Sequence, residues 1–217
     1  MIVRQSTSFL AAGVPLEADV VVPDSAVGVV VFAHGSGSGR RSPRNRHVAA
    51  GLQEAGLATV LIDLLTLEEE RAESMVALRF DIGLLASRLI AVTARLSACE
   101  SLAGLGAGLF GGSTGAAAAL VAAAERPDIV RAVVSRGGRP DLAGDHLTRV
   151  HQPTLLIVGE RDPVVIDLNR EALGQIPGPS RLVLVPAATH LFEEPGALDQ
   201  VTALAGAWFT RHLPAVS

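Results

Sequence analysis

The stretch LFGGSTGAAAALVAAAE, residues 109–125, runs from the end of an apolar segment into an alanine-rich one and carries the pattern G-x-S-x-G at Gly111, Gly112, Ser113, Thr114 and Gly115. A strand that turns sharply into a helix through such a pattern is the setting of a nucleophile elbow. Serine is held in a strained turn, and small residues two places to either side let strand and helix approach. The same residues also read as a glycine-rich turn whose helix N-terminus attracts an anion. The alanine-rich stretch from Gly115 to Ala124 is too short to span a bilayer and is closed by Arg126 and Pro127, so it is expected to be a buried helix.

Outward from this centre, short apolar runs alternate with longer helix-like segments, the signature of a parallel sheet covered on both faces. Strands are predicted over Ala18–Val22, Gly28–Ala33, Ala58–Asp63, Gly106–Gly111, Val130–Ser135, Thr154–Val158 and Arg181–Val185. Helices are predicted over Pro43–Ala55, Glu73–Arg95, Thr114–Glu125, Ile166–Gln175 and Glu194–His212. Ser42 before Pro43 reads as an N-cap and first helical residue, while Gly56 and Pro127 read as stops. No composition break or fixed repeat divides residues 1–217, so a single α/β domain is expected. The connections between strands leave no room for a large lid, and an open site is expected.

Composition removes several chemistries. All 18 basic residues are arginine, so the amine needed by a Walker A loop, a Schiff base or a Ser-Lys dyad is missing. There is no tyrosine, and the single Cys99 permits neither an intrachain disulfide nor a zinc site of paired CxxC motifs. A net charge of −4 argues against an overall nucleic-acid footprint. The opening MIVRQSTSFL lacks the apolar centre of a secretory signal, and a soluble, cytoplasmic protein is expected.

A serine hydroxyl needs a base, and the base needs an orienting carboxylate. Asp162 in GERDPVV and His190 in AATHLFEEPG each follow a predicted strand, on the carboxyl edge where open parallel sheets bind ligands. The order Ser, Asp, His along the chain is the one that accompanies an elbow serine. Asp141 is the second candidate for the acid, and Asp63 reads as a structural or pocket-shaping residue. Of the six histidines, His47 and His212 read as helical and solvent-facing, and His146 and His151 precede the strand after Pro153. His190 alone has the position of a base, with an ordinary loop histidine as the bland alternative.

The segment VVVFAHGSGSGRRSPRNRHVAA, residues 29–50, offers the oxyanion donors. A tetrahedral intermediate needs two backbone N–H groups, one after the nucleophile and one from an earlier loop. Thr114 and Ser36 are the candidates, with Gly35 as the fallback. A dinucleotide loop would need glycine at position 40, where Arg40 stands. Arg40, Arg41, Arg44 and Arg46 crowd the start of the next helix, against the charge preference of a helix N-terminus. Either they hold a substrate carboxylate or phosphate, for which Arg40, Arg44 and Arg136 are the candidates, or they form a solvated basic loop. Glu68, Glu69 and Glu70 read as an acidic helix start or a solvated loop, and Arg79 with Asp81 as an ion-pair network inside a helix.

The segments FAHGSGSG with SPRN, LIDLLT, FGGSTGAAAAL, VVSRGGRPDLA, TLLIVGERD and ATHLFEEPGAL resemble the dienelactone-hydrolase-like branch of the α/β-hydrolase superfamily, from about Val27 to Trp208. The resemblance implies a three-layer α/β-hydrolase fold, a mostly parallel sheet with helices on both faces and no large lid. It also implies Ser113, Asp162 and His190 as triad, with no metal and no organic cofactor. Related sequences occur fused to phosphoribosyltransferase domains, and none is expected in this chain. Dienelactone hydrolases proper use cysteine as nucleophile, whereas Cys99 precedes the elbow strand. The expected activity is therefore serine-dependent cleavage of a small carboxylic ester, lactone or thioester through an acyl-enzyme. Alternatives are a peptidase or acyltransferase on the same triad, or a non-catalytic small-molecule receptor. The expected partner is a small ester or lactone, anionic if the arginines hold a charge, and neither nucleic acid nor membrane.

Overall fold

The computed structural model describes residues 2–11 and 13–214, with backbone alone at 73–75. Eight strands form one sheet: β1 (Val3–Ala11), β2 (Val14–Val22), β3 (Val29–Ala33), β4 (Ala58–Ile62), β5 (Ala107–Gly112), β6 (Val130–Arg136), β7 (Thr154–Gly159) and β8 (Ser180–Val185). Their spatial order is β1-β2-β4-β3-β5-β6-β7-β8. β1 pairs with β2, and β2 with β4, antiparallel, while every pair from β4 onward is parallel. Six α-helices accompany them: α1 (Pro43–Glu54), α2 (Leu67–Arg71), α3 (Ile82–Arg95), α4 (Thr114–Glu125), α5 (Pro163–Leu173) and α6 (Ala197–His212).

The central strands are apolar on both faces because each face has its own helical layer. In β3, Val29, Val31 and Ala33 pack with Leu85, Leu89 and the alanines of α4. Val30 and Phe32 point the other way, to Val48 and Leu52 of α1 and to Val201 and Phe209 of α6. Phe32 and Phe110 meet at 4.8 Å between ring centroids on that second face. All the parallel strands end at one edge, and their following loops carry the predicted site residues.

Three sequence expectations are corrected. The strand β1 was not anticipated, because VRQSTSFLA buries only Phe9 and Ala11 and lacks an apolar alternation. It forms through main-chain pairing with β2 from Val3↔Val22 to Ala11↔Val14. The helix expected over Glu73–Arg95 is broken: a 3-10 segment covers Glu73–Phe80. Asp81 then leaves helical geometry and caps α3, accepting from Leu84 N at 2.9 Å. The last helix starts at Ala197 rather than Glu194, since Gly196 at φ 76° breaks the chain direction.

The acidic run does start a helix. Thr66 and Glu69 form a reciprocal capping box at the head of α2, with Glu69 N donating to Thr66 Oγ1 at 3.2 Å and Thr66 N to Glu69 Oε2 at 2.8 Å. Glu69 also receives both terminal nitrogens of buried Arg88 at 2.7 Å, and Arg88 Nη1 donates further to Leu64 O at 2.9 Å. The guanidinium holds the Glu69 carboxyl below its usual value, against the opposing effect of burial. Arg79 turns to Glu70 instead of pairing with Asp81.

Removing Glu69 leaves Arg88 as an uncompensated buried cation. Glu69→Ala should cost about 3–5 kcal/mol in urea unfolding, and an added Arg88→Met should recover most of that loss. An unchanged midpoint in the single variant would show that Arg88 finds solvent without its partner.

Candidate active site

Strand β5 delivers Ser113 at φ 50° and ψ −121°, a conformation that L-residues adopt only under constraint. The constraint is the crossing of α4 over the sheet. A Cβ on Gly115 would lie 2.1 Å from Ala33 O, and one on Gly111 would lie 2.4 Å from Ala116 Cα. Both positions therefore require glycine, which is the physical content of G-x-S-x-G. The backbone then ties the elbow to β6 and its following loop. Ser113 N donates to Arg136 O at 3.4 Å, and Arg139 N donates to Ser113 O at 3.1 Å.

Asp162 and His190 are brought together directly. His190 Nδ1 lies 2.6 Å from Asp162 Oδ2, with the carboxylate side chain 16% exposed and the imidazole 40% exposed. The two loops interlock: Glu160 N donates to Val185 O at 3.0 Å and Arg161 N to Ala188 O at 2.9 Å. Glu160 accepts from Ala187 N at 2.9 Å, and Glu194 accepts from Thr189 N at 3.1 Å. Phe192, at φ 56° and fully buried, anchors the far side of the histidine loop in the α1/α6 core. His190 reaches the elbow side of the edge, since a Cβ on Gly137 would lie 3.6 Å from its Cε1. Among the described residues no hydrogen bond joins Ser113 Oγ to His190.

Ser36 and Thr114 also meet, although not as sequence reasoning anticipated. Ser36 N donates to Thr114 Oγ1 at 3.1 Å, so the side chain of one candidate holds the backbone of the other. Thr114, as the first residue of α4, has an N–H with no partner within its own helix. Behind them stands His34, which sequence reasoning passed over. Leu64 N donates to its Nε2 at 2.8 Å, so the ring donates from Nδ1 to Gly35 O at 2.9 Å and is neutral. Burial pushes its pKa down, outweighing Gly35 O, Asp63 and Glu70.

The arginines separate sharply. Arg40 had two readings, a holder of a substrate anion or part of a basic loop, and its contacts are of the second kind. Its backbone N donates to Asp63 Oδ1 at 2.6 Å, its guanidinium is bonded to Asp63 Oδ2, and Glu17 and Asp19 lie 3.7 and 3.8 Å away. Three carboxylates therefore occupy it. Arg44 reaches Glu193 Oε1 at 3.2 Å. Arg136, the last residue of β6, is half-buried with Nε and Nη1 sealed from solvent and unbonded. The rival acid Asp141 is engaged by Arg139 at 2.9 and 2.7 Å. His47 pairs with Asp199 at 2.7 Å, and His212 packs on Trp208. Among the described residues no group of His, Cys, Asp or Glu could hold a metal ion, and no helix is long and apolar enough to cross a membrane.

Residues 26–204 match the family model of the alpha/beta hydrolase domain, and the chain belongs to that family. Within it the chain falls in the dienelactone-hydrolase-like branch. The crystal structure of dienelactone hydrolase from Anabaena variabilis is 56% identical with a TM-score of 0.95, over 98% of this chain and 99% of that one. Est1E from Butyrivibrio proteoclasticus shares the fold at 16% identity and a TM-score of 0.78, over 95% and 98% of the two chains. A Mycobacterium tuberculosis protein that carries the name of a phosphoribosyl transferase is 58% identical over 209 residues, which are 96% of this chain and 46% of that protein. The chain thus spans about half the length of the curated relatives it matches.

The neutral His34 carries a consequence for pH. Its folded pKa lies below the usual 6.5, so the unfolded chain takes up the proton first and stability falls as pH drops below about 6.5. Urea midpoints measured from pH 7 to pH 5 should show this slope, and His34→Gln should reduce it. His212, shifted the same way by burial and Arg211, leaves a remainder. An identical slope in the variant would remove His34 as its source.

Proposed function

We propose that the chain is a serine hydrolase that cleaves a small carboxylic ester, lactone or thioester through an acyl-enzyme. The observation that carries this reading is the 2.6 Å contact between His190 Nδ1 and Asp162 Oδ2. Asp162 Oδ2 accepts a hydrogen bond from His190 Nδ1–H, which fixes the tautomer that leaves Nε2 unprotonated and able to act as base. Ser113 attacks the acyl carbon while His190 Nε2 takes its proton. His190 then protonates the leaving oxygen or sulfur, and water repeats the sequence to release the acid.

Thr114 N–H and Ser36 N–H are the proposed oxyanion donors. Ser36 N–H exchanges the neutral acceptor Thr114 Oγ1 for the developing charge, an exchange that favours the transition state over the ground state. The open edge supports a small-molecule substrate. The phosphoribosyl-transferase name of the Mycobacterium relative is best attached to the part of that protein outside the matched 46%, since a hydrolase domain is what the two share.

A fluorophosphonate probe should label Ser113, located by peptide mass spectrometry. Ser113→Ala should lose the label and lower kcat on short nitrophenyl esters by roughly 10³- to 10⁶-fold. A folded variant with wild-type turnover would sink the assignment.

A further inference from the structure

The reaction above leaves Arg136 without a task. It stands opposite Gly112 in the β5/β6 register, on the face shared by Ala132 and Val134, toward α1 and α6. A Cβ on Gly112 would lie 2.8 Å from Arg136 Nη2, so the guanidinium lies against the residue immediately before Ser113. Its Nε and Nη1 have neither solvent contact nor a hydrogen-bond partner, although the residue as a whole retains some exposure. Among the described residues no carboxylate lies within ion-pair distance of it. The charge it feels is Arg44, and burial followed by that repulsion pushes its pKa down to about 10, which leaves it cationic at neutral pH.

Arg44 shares the deficit. Its Nε is also sealed and unbonded, and its one carboxylate contact is Glu193, whose side chain is 65% exposed. Of the two guanidinia only that of Arg44 has a carboxylate partner, and that partner is largely exposed. An unpaired cation shielded from water is a cost that folding alone does not repay. Arg88, whose Nε is likewise unbonded, nevertheless has both terminal nitrogens matched by the Glu69 carboxylate and a further bond to Leu64 O, so its charge is compensated where that of Arg136 is not.

We propose that Arg136 and Arg44 form a subsite for an oxyanion on the substrate, a carboxylate or a phosphate, and that Glu193 is its internal competitor, releasing Arg44 when the substrate's anion arrives. The subsite rests on the serine-hydrolase reading and names its substrate class: an ester or thioester with an anionic group close to the scissile acyl carbon. Arg40, occupied by three carboxylates, takes no part.

The test compares p-nitrophenyl hemisuccinate with neutral p-nitrophenyl butyrate. Arg136→Met should lower the ratio of their kcat/KM values by about tenfold or more, and Glu193→Gln should raise it. If Arg136→Met does not fold, Arg44→Gln, on a more exposed side chain, is expected to lower the same ratio. Binding is read separately in Ser113→Ala protein by thermal shift with succinate and with inorganic phosphate. A rise in Tm that is lost in Ser113→Ala/Arg44→Gln supports the subsite even if no ester is turned over, and the anion with the larger shift identifies its chemistry. An unchanged ratio in the arginine variants, or no anion-dependent Tm shift in the Ser113→Ala protein, would overturn the proposal.

Discussion

The contact on which the rest of the molecule depends is the backbone approach of α4 to the ends of β3 and β5. Main chain meets main chain where Gly115 faces Ala33 O and Gly111 faces Ala116. With no side chain between them, the helix lies close enough for its alanines, Ala116 to Ala119 with Ala122 and Ala123, to be fully buried on all sides. Larger residues there would lift α4 and relax the turn before it. The unfavourable φ of Ser113 is thus held by dispersion and apolar burial spread along a whole helix.

Around that centre the chain places like residues in unlike electrostatic settings. Arg88 is buried and matched on both terminal nitrogens, and it joins α2 to α3. Arg40 is held among Asp63, Glu17 and Asp19, and it stiffens the loop that follows β3. Arg136 is half-buried and unmatched beside the elbow, with Nε and Nη1 sealed from solvent. Burial of a guanidinium is costly in every case, and the three arginines differ in how far that cost is compensated by partners. His34 follows the same logic from the neutral side: as an uncharged bridge between Gly35 O and Leu64 N it fixes the same loop without adding a buried charge.

The candidate site draws its members from four loops on one sheet edge, and rigidity passes between them through the backbone. The loop after β6 bonds the elbow at Ser113 O, and the loops after β7 and β8 bond each other on either side of Asp162 and His190. Phe192, buried in strained geometry, transfers the stiffness of the α1/α6 core to the histidine loop. Such a frame needs no lid to hold a constellation at the edge.

By itself the sequence determined what local pattern and chain order can carry: the parallel core strands, the glycine-bounded turn at Ser113, and Asp162 and His190 on the same edge. These were legible because a strand buried on both faces is apolar throughout, and because a close backbone crossing admits only glycine. β1 was hidden because an edge strand paired through its main chain needs no apolar alternation, and the break at Asp81 because a capping carboxylate inside a helical pattern looks like a surface charge. Only the tertiary structure decided which arginine is spent and which is free, that Thr114 holds Ser36, and that His34 is neutral. Each of those depends on partners 23 to 78 residues away in the chain, and the free energy of a charge or a hydrogen bond is set by what stands opposite it in space.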